Sequence, residues 1–248
     1  MSEKVMFDPY RTTPILGDIP AWSFNRLKTF EECQYRLFLQ VVKKQKELQE
    51  NDAAIRGKEV HSQAEQFIKG ETDTIPDAHL KKKTKLLERL QEKRINEPGT
   101  VLIEEQWGFN IDWHETGFFA KDVWCRLLLD VLEFIDDETQ ACAIDWKTGG
   151  GSDIAKFKYA DQMMTYAVIT LLKYPKLQFI ETRLVFTDKD MPDLVQRYTR
   201  EQAMLMLPKL EQRALALTTA TTFSPNPSRH NCRFCPYTDG RCEWAHEE

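Results

Sequence analysis

The chain has 248 residues, 42% of them hydrophobic and 29% charged, with a formal net charge of −5. That balance is globular, leaves room for a sizeable core, and excludes both a disordered chain and a surface that is basic throughout. With no apolar run long enough to cross a bilayer and no basic-then-apolar leader, no membrane partner is expected and a cytoplasmic location is the default.

Residues 1–20 carry three prolines and no periodicity, and read as an extended arm. Ser23 has the chemistry of a helix N-cap, followed by Leu27, Phe30, Phe38 and Val41 at near-helical spacing. Asp52 would cap a second helix with Ile55, Val60, Ala64, Phe67 and Ile68 on its apolar side, and a third covers 77–95. Within it, HLKKKTKLLERLQEKR (79–94) is strongly basic, either a solvated face or a phosphate contact.

The pattern then changes to alternation. TVLIEEQWGF (100–109) reads as a half-buried strand, and GFFAKDVW (117–124) and CRLLLDVLEFI (125–135) as two more. DDETQ is a turn, and ACAIDWK (141–147) is a further strand. Residues 155–174 are helical, 179–187 and 193–199 are strands, and a last helix covers 201–217, with Pro208 as its kink or boundary. From Phe223 the tail is a proline-punctuated loop. This order predicts one α/β domain over 1–248: an arm (1–20), a helical portion (21–97), a core with a mixed sheet flanked by helices (98–222) and a cysteine-bearing tail (223–248).

The chemistry concentrates in that core. Residues two apart on a strand share a face, so Asp145 and Lys147 point one way and Trp146 the other. Asp130 lies on the preceding strand, and the turn at 136–140 makes the two strands antiparallel neighbours whose aspartates meet. Two close carboxylates repel unless a cation sits between them, which suits Mg²⁺ or Mn²⁺. Lys147 adds an ammonium that orients a water or offsets charge on a phosphate oxygen. The bland reading of Asp-x-Lys is a salt bridge, but the apolar Ala143 and Ile144 before it make unpaired charge there expensive. KTGGGSD is no phosphate loop, because its lysine precedes the glycines instead of following them.

Of six cysteines, Cys125 and Cys142 sit in apolar runs and read as small core residues. Cys232, Cys235 and Cys242 have the spacing of a metal site that lacks one ligand. His246 would complete a local zinc site; Cys33 would complete a four-thiol site for zinc or an iron–sulfur cluster.

LLLD ending at Asp130 and AIDWKTG around Asp145, with fourteen residues between the two aspartates, resemble the core of the PD-(D/E)XK nucleases in their RecB-like branch. GKEVH (57–61), ADQMMTY (160–166) and SFNRLKTFEECQYRLFL (23–39) are similar to that branch's histidine motif, Gln-x-x-x-Tyr helix and N-terminal segment, so the resemblance covers about 22–244. Leu129 stands where the family name has proline, and Asp145 where it often has glutamate; Asp122 is a competing first aspartate, and Glu104 only a near-site candidate. The resemblance implies a restriction-endonuclease-like fold and a Mg²⁺- or Mn²⁺-dependent deoxyribonuclease, an exonuclease acting on single strands or ends of DNA. It implies His61, Asp130, Asp145 and the Trp146 carbonyl as metal ligands, Lys147 as the water-orienting cation, and Gln162 and Tyr166 as substrate contacts. It also implies a [4Fe–4S] cluster on Cys33, Cys232, Cys235 and Cys242, with zinc as the alternative. Recombination, repair or CRISPR adaptation in a bacterium or phage-infected host is the setting implied, with recombination or repair proteins as partners. The rival reading is a non-catalytic nucleic-acid-binding or scaffold subunit built around the cysteine site.

Overall fold

The computed structural model describes residues 14–45, 52–136, 139–149, 155–188 and 191–246. Six strands form one mixed sheet: β1 (Val101–Phe109), β2 (Glu115–Thr116), β3 (Cys125–Asp136), β4 (Gln140–Lys147), β5 (Phe179–Phe186) and β6 (Leu194–Thr199), in the order β2-β1-β3-β4-β5-β6. The chain divides into two compact units, Met1–Gln49 with Gly108–Arg126 and Lys209–Glu248, and Glu50–Trp107 with Leu127–Pro208. Segments 21–97 and 98–222 each contribute to both units.

The second unit carries most of the sheet. Helices α3 (Asp52–Lys69) and α4 (Thr84–Asn96) cover one face. Their Val60, Ala64, Phe67, Ile68, Leu87 and Leu90 form one core with Val101 of β1, Val131 of β3, Cys142, Ile144 and Trp146 of β4, and Val185 of β5. Helix α5 (Ala155–Lys173) covers the other face, where its Met163 packs on Leu184 and Phe186. β4 is therefore enclosed on both sides, and every residue from Ala141 to Trp146 is buried. That explains why it reads as a nearly continuous apolar run. β4 and β5 pair in parallel from Gln140↔Phe179 to Lys147↔Phe186, which requires a crossover, and α5 supplies it. β6 pairs antiparallel to β5 as the open edge, and its exposure alternates along the strand.

β1 departs from simple alternation. Val101 packs beneath α3 and α4, with Ile103 against the same core, whereas Trp107, of the same parity, lies against Tyr174 just beyond α5, ring centroids 5.8 Å apart. Tyr174 also meets Phe134, whose neighbour Glu133 turns the other way and pairs with Arg89 of α4. The strand has slipped phase by one residue, and the slip falls at Glu104, whose φ is +53°. A left-handed non-glycine residue inside a strand marks a bulge and costs about 1–2 kcal/mol.

In the first unit, α1 (Phe24–Glu32) starts at Ser23, whose Oγ accepts the Arg26 N–H, and it ends at Cys33, whose backbone is extended. α2 (Gln34–Leu37) starts directly after Cys33 and passes into a π turn, Phe38–Val42. The predicted continuous helix is thus broken at the cysteine. Trp22, Trp113 and Trp124 meet edge to face, and the Trp124 ring N–H donates to Thr218 Oγ1 at 3.0 Å. Gly17 lies against the end of α6 (Arg200–Thr218): a Cβ there would meet Ala220 O at 2.1 Å. The prolines at 14 and 20 belong to this tethered part of the arm; residues 1–13 lie outside the described residues.

Three expectations are corrected. Residues 117–124 form turns, not a strand: Ala120 N–H bonds Gly117 and Val123 N–H bonds Ala120, only Trp124 reaches across to Phe109 and Trp22, and β2 is only Glu115–Thr116. α6 continues through Pro208, so the proline is not the helix's boundary. The third helix begins as a 3₁₀ turn, Leu80–Lys83, before α4. Among the described residues, no helix is long and apolar enough to cross a membrane.

Candidate active site and cysteine recess

The end of β4 and the start of the β3–β4 pairing build the first site. The described pairing runs inward from Val131↔Ile144. Beyond that pair the Trp146 N–H donates to the Asp130 carboxylate at 2.9 Å, so a side chain takes the place of a ladder acceptor. The same Asp130 oxygen lies 3.2 Å from His61 Nδ1, and His61 Nε2 lies 2.9 Å from the Trp146 carbonyl. A carbonyl only accepts, so Nε2 carries a proton here. His61 stands one residue past Val60, whose burial seats α3 on the sheet, so core packing sets the imidazole's position.

Asp145 and Lys147 turn to the α5 face. Asp145 is 3% exposed, and its Oδ1 accepts from the Tyr166 hydroxyl at 2.9 Å and from Gln162 Nε2 at 3.1 Å. Gln162 Nε2 also donates to the Tyr166 oxygen at 2.7 Å. These two side chains sit four apart on α5, hence on one helix face. The other carboxylate oxygen, Oδ2, has Lys147 Nζ at 2.6 Å but receives no well-aligned hydrogen bond. Lys147 also lies over the Tyr159 ring, 5.5 Å from its centroid.

His61, Glu104 and Asp130 each bring a ligand atom to a group spanning no more than 4.8 Å, and among the described residues no other such group of three occurs. Burial pushes the Glu104 carboxyl up to about 7, with the charges of Asp130 and Glu65 adding and those of His61 and Lys69 opposing. Burial likewise raises Asp145, helped by Asp130 and resisted by Lys147 and Tyr166. For His61 burial opposes the charged ring, yet Asp130, Asp145 and the Trp146 carbonyl together outweigh it and the net direction is up. Three carboxylates thus crowd together beside His61, Lys69 and Lys147. The donors are oxygens and one imidazole, and Asp145 keeps a buried, poorly satisfied oxygen. Such a set fits a hard divalent cation.

The competing Asp122 is engaged elsewhere, accepting from Thr116 Oγ1 at 2.8 Å in the first unit. In the 79–94 run, Arg89 and Lys93 pair with Glu133, and Lys83 with Asp193. Lys81, Lys82 and Lys85 are exposed. The glycine turn after Thr148 lies outside the described residues from Gly150 to Ile154.

The second site lies in the first unit. Cys33, Cys232, Cys235 and Cys242 line one small recess that opens to solvent. Cys33 reaches it because the chain is extended between α1 and α2. Main-chain N–H groups point at the sulfurs: His246 N–H donates to Cys232 Sγ at 3.4 Å, and those of Tyr237 and Trp244 hydrogen-bond to Cys235 and Cys242. His246 itself is exposed and does not line the recess. Among the described residues, no three thiol sulfurs lie within 4.8 Å of one another.

A buried aspartate pair, a neighbouring lysine on a strand end and a helical histidine define a class of hydrolytic nuclease site. The chain belongs to the PD-(D/E)XK nuclease superfamily, whose family model matches residues 21–243. No curated protein sequence matches it. Its fold is similar to a crystal structure from Eubacterium rectale described as "Putative exonuclease", at 15% identity over 87% of this chain and 86% of that one, TM-score 0.48. It is also similar to the crystal structure of SSO0001, at 7% identity over 73% and 96% of the two chains, TM-score 0.31.

Proposed function

We propose that the protein is a Mg²⁺- or Mn²⁺-dependent deoxyribonuclease, an exonuclease that hydrolyses single-stranded DNA or DNA ends. The observation that carries this reading is the meeting of His61, Asp130, Asp145 and Lys147 at the buried end of β4. His61, Asp130, Asp145 and the Trp146 carbonyl would hold the cation, which when bound polarises a phosphate oxygen and acidifies a water. Lys147 presents its ammonium to the attacking water and to developing phosphate charge. Gln162 and Tyr166 hold Asp145 by one oxygen, which leaves the other for Lys147 and the cation. Exposed Lys81, Lys82 and Lys85 are suited to phosphate contacts.

The cysteine recess is proposed as the seat of a [4Fe–4S] cluster with a structural role. The four cysteines around one recess, with main-chain N–H groups aimed at three of their sulfurs, support a thiolate-bound metal group there.

The test uses single-stranded DNA labelled at either end, Mn²⁺, wild type and Lys147→Ala. Wild type is expected to shorten the strand from one end and the variant to lack activity. Equal activity in both, or none in wild type, would overturn the catalytic assignment. Anaerobic purification should give a brown protein with iron and sulfide, lost in Cys33→Ser; a colourless protein with stoichiometric zinc would overturn the cluster.

A further inference from the structure

The four groups that the family resemblance assigns to the cation do not include Glu104. We infer that Glu104 is an additional cation-holding residue of this site, bringing a carboxylate from β1 to face His61 and Asp130. The inference rests on the nuclease reading of the same site, and it concerns this chain's own departure from a plain strand.

Strict alternation along β1 turns Glu104 away from Ile103, toward the α5 side of the sheet. The left-handed backbone at Glu104 reverses this. Ile103 packs on the core beneath α3, and the Glu104 carboxylate also reaches that side, within 4.8 Å of ligand atoms of His61 and Asp130. The bulge therefore aims one particular side chain. Asn or Gly would adopt this conformation more easily, and a glutamate there supplies a charged oxygen donor. The surroundings fit a ligand better than a structural ion pair. The nearby Lys69 is bound to Glu65 at 2.5 Å, and no hydrogen bond to the Glu104 carboxylate is found among the described residues. Three elements, α3, β1 and β3, thus each deliver one donor to a single point, and β4 delivers Asp145 beside it.

The experiment measures Mn²⁺ binding without nucleic acid, by calorimetry and by the electron paramagnetic resonance signal of free Mn²⁺. Proteins compared are wild type, Glu104→Gln, Asp130→Asn and, as a control, Glu65→Gln. Glu104→Gln is expected to weaken Mn²⁺ binding by about 10- to 100-fold, the usual range when a group supporting a metal site is lost. Its metal-free thermal midpoint should be unchanged or higher, because one buried carboxylate has gone. Glu65→Gln should stay within about twofold of wild type. Wild-type affinity in Glu104→Gln, with Asp130→Asn impaired, would overturn the inference and leave the nuclease reading standing. Absence of saturable Mn²⁺ binding in wild type would overturn both. Glu104→Gly separates strain from ligation: recovery of wild-type affinity there would show that the bulge, not the carboxylate, matters, and would also sink the inference.

Discussion

Replacing Lys147 by Met keeps the side chain's apolar stem and removes its ammonium. In the folded protein that ammonium lies 2.6 Å from Asp145 Oδ2, and the lysine is 20% exposed against 5% for the aspartate side chain. Breaking a fully buried pair by removing one partner costs about 3–5 kcal/mol, because the remaining charge stays buried. Water reaches the lysine end, and Asp145 keeps its bonds from Gln162 and Tyr166, so about 2–3 kcal/mol is expected for Lys147→Met. The double variant Asp145→Asn/Lys147→Met removes both charges and should recover stability to within about 1 kcal/mol of wild type. Activity should follow another course. Loss of a group that stabilises developing charge costs about 10²- to 10³-fold, and the double variant has no means of regaining it. Urea unfolding of wild type and the two variants without metal gives the first quantity, and Mn²⁺-dependent cleavage of labelled DNA gives the second. If activity recovered with stability in the double variant, the pair would be an ordinary salt bridge. If Lys147→Met lost no stability, the close contact with Asp145 would itself be wrong.

Arg56, one helical turn before Val60, binds Asp77 at 2.7 Å and Asp188 through two nitrogens, at 2.9 and 2.5 Å. The guanidinium holds Asp77 down at about 2 from an ordinary 3.8. A depressed carboxylate stabilises the fold above its unfolded value, and that contribution fades as pH falls from 3.8 through 2. Arg56→Ala should therefore cost about 1 kcal/mol near neutral pH, allowing for solvent screening at a partly exposed arginine, and the gap from wild type should close below about pH 4. A gap that stays constant in acid urea titrations would contradict this origin. Tyr166→Phe keeps the ring and deletes one donor to Asp145, so turnover should fall about tenfold with little change in Mn²⁺ affinity, the equivalent of one modest hydrogen bond. Turnover within twofold of wild type would assign the orientation of Asp145 to Gln162 alone.

Much of this architecture is written in short-range pattern. The Ser23 cap, the apolar faces of α3 and α4, and the β3–turn–β4 hairpin follow from spacing, because a helix or strand must bury one periodic face. Asp145 and Lys147 share a face for the same reason: a pleat alternates. The residues proposed for the site are legible in sequence because each belongs to a local motif. Where local signals misled, the cause was equally physical. GFFAKDVW has the composition of a strand but folds through turns as far as Val123, and the apolar periodicity of α1 hides the break that frees Cys33.

What only the tertiary structure decides is which donors meet. That His61 spans Asp130 and the Trp146 carbonyl depends on how α3 seats on the sheet, and that Asp130 takes over a main-chain partner depends on where the strand ladder stops. Glu104 is the clearest case. Its parity in sequence puts it on the wrong side, and a single left-handed residue, invisible to any periodic reading, turns it toward the histidine. Periodicity is a property of regular backbone, so a site assembled at an irregularity has to be read from the fold.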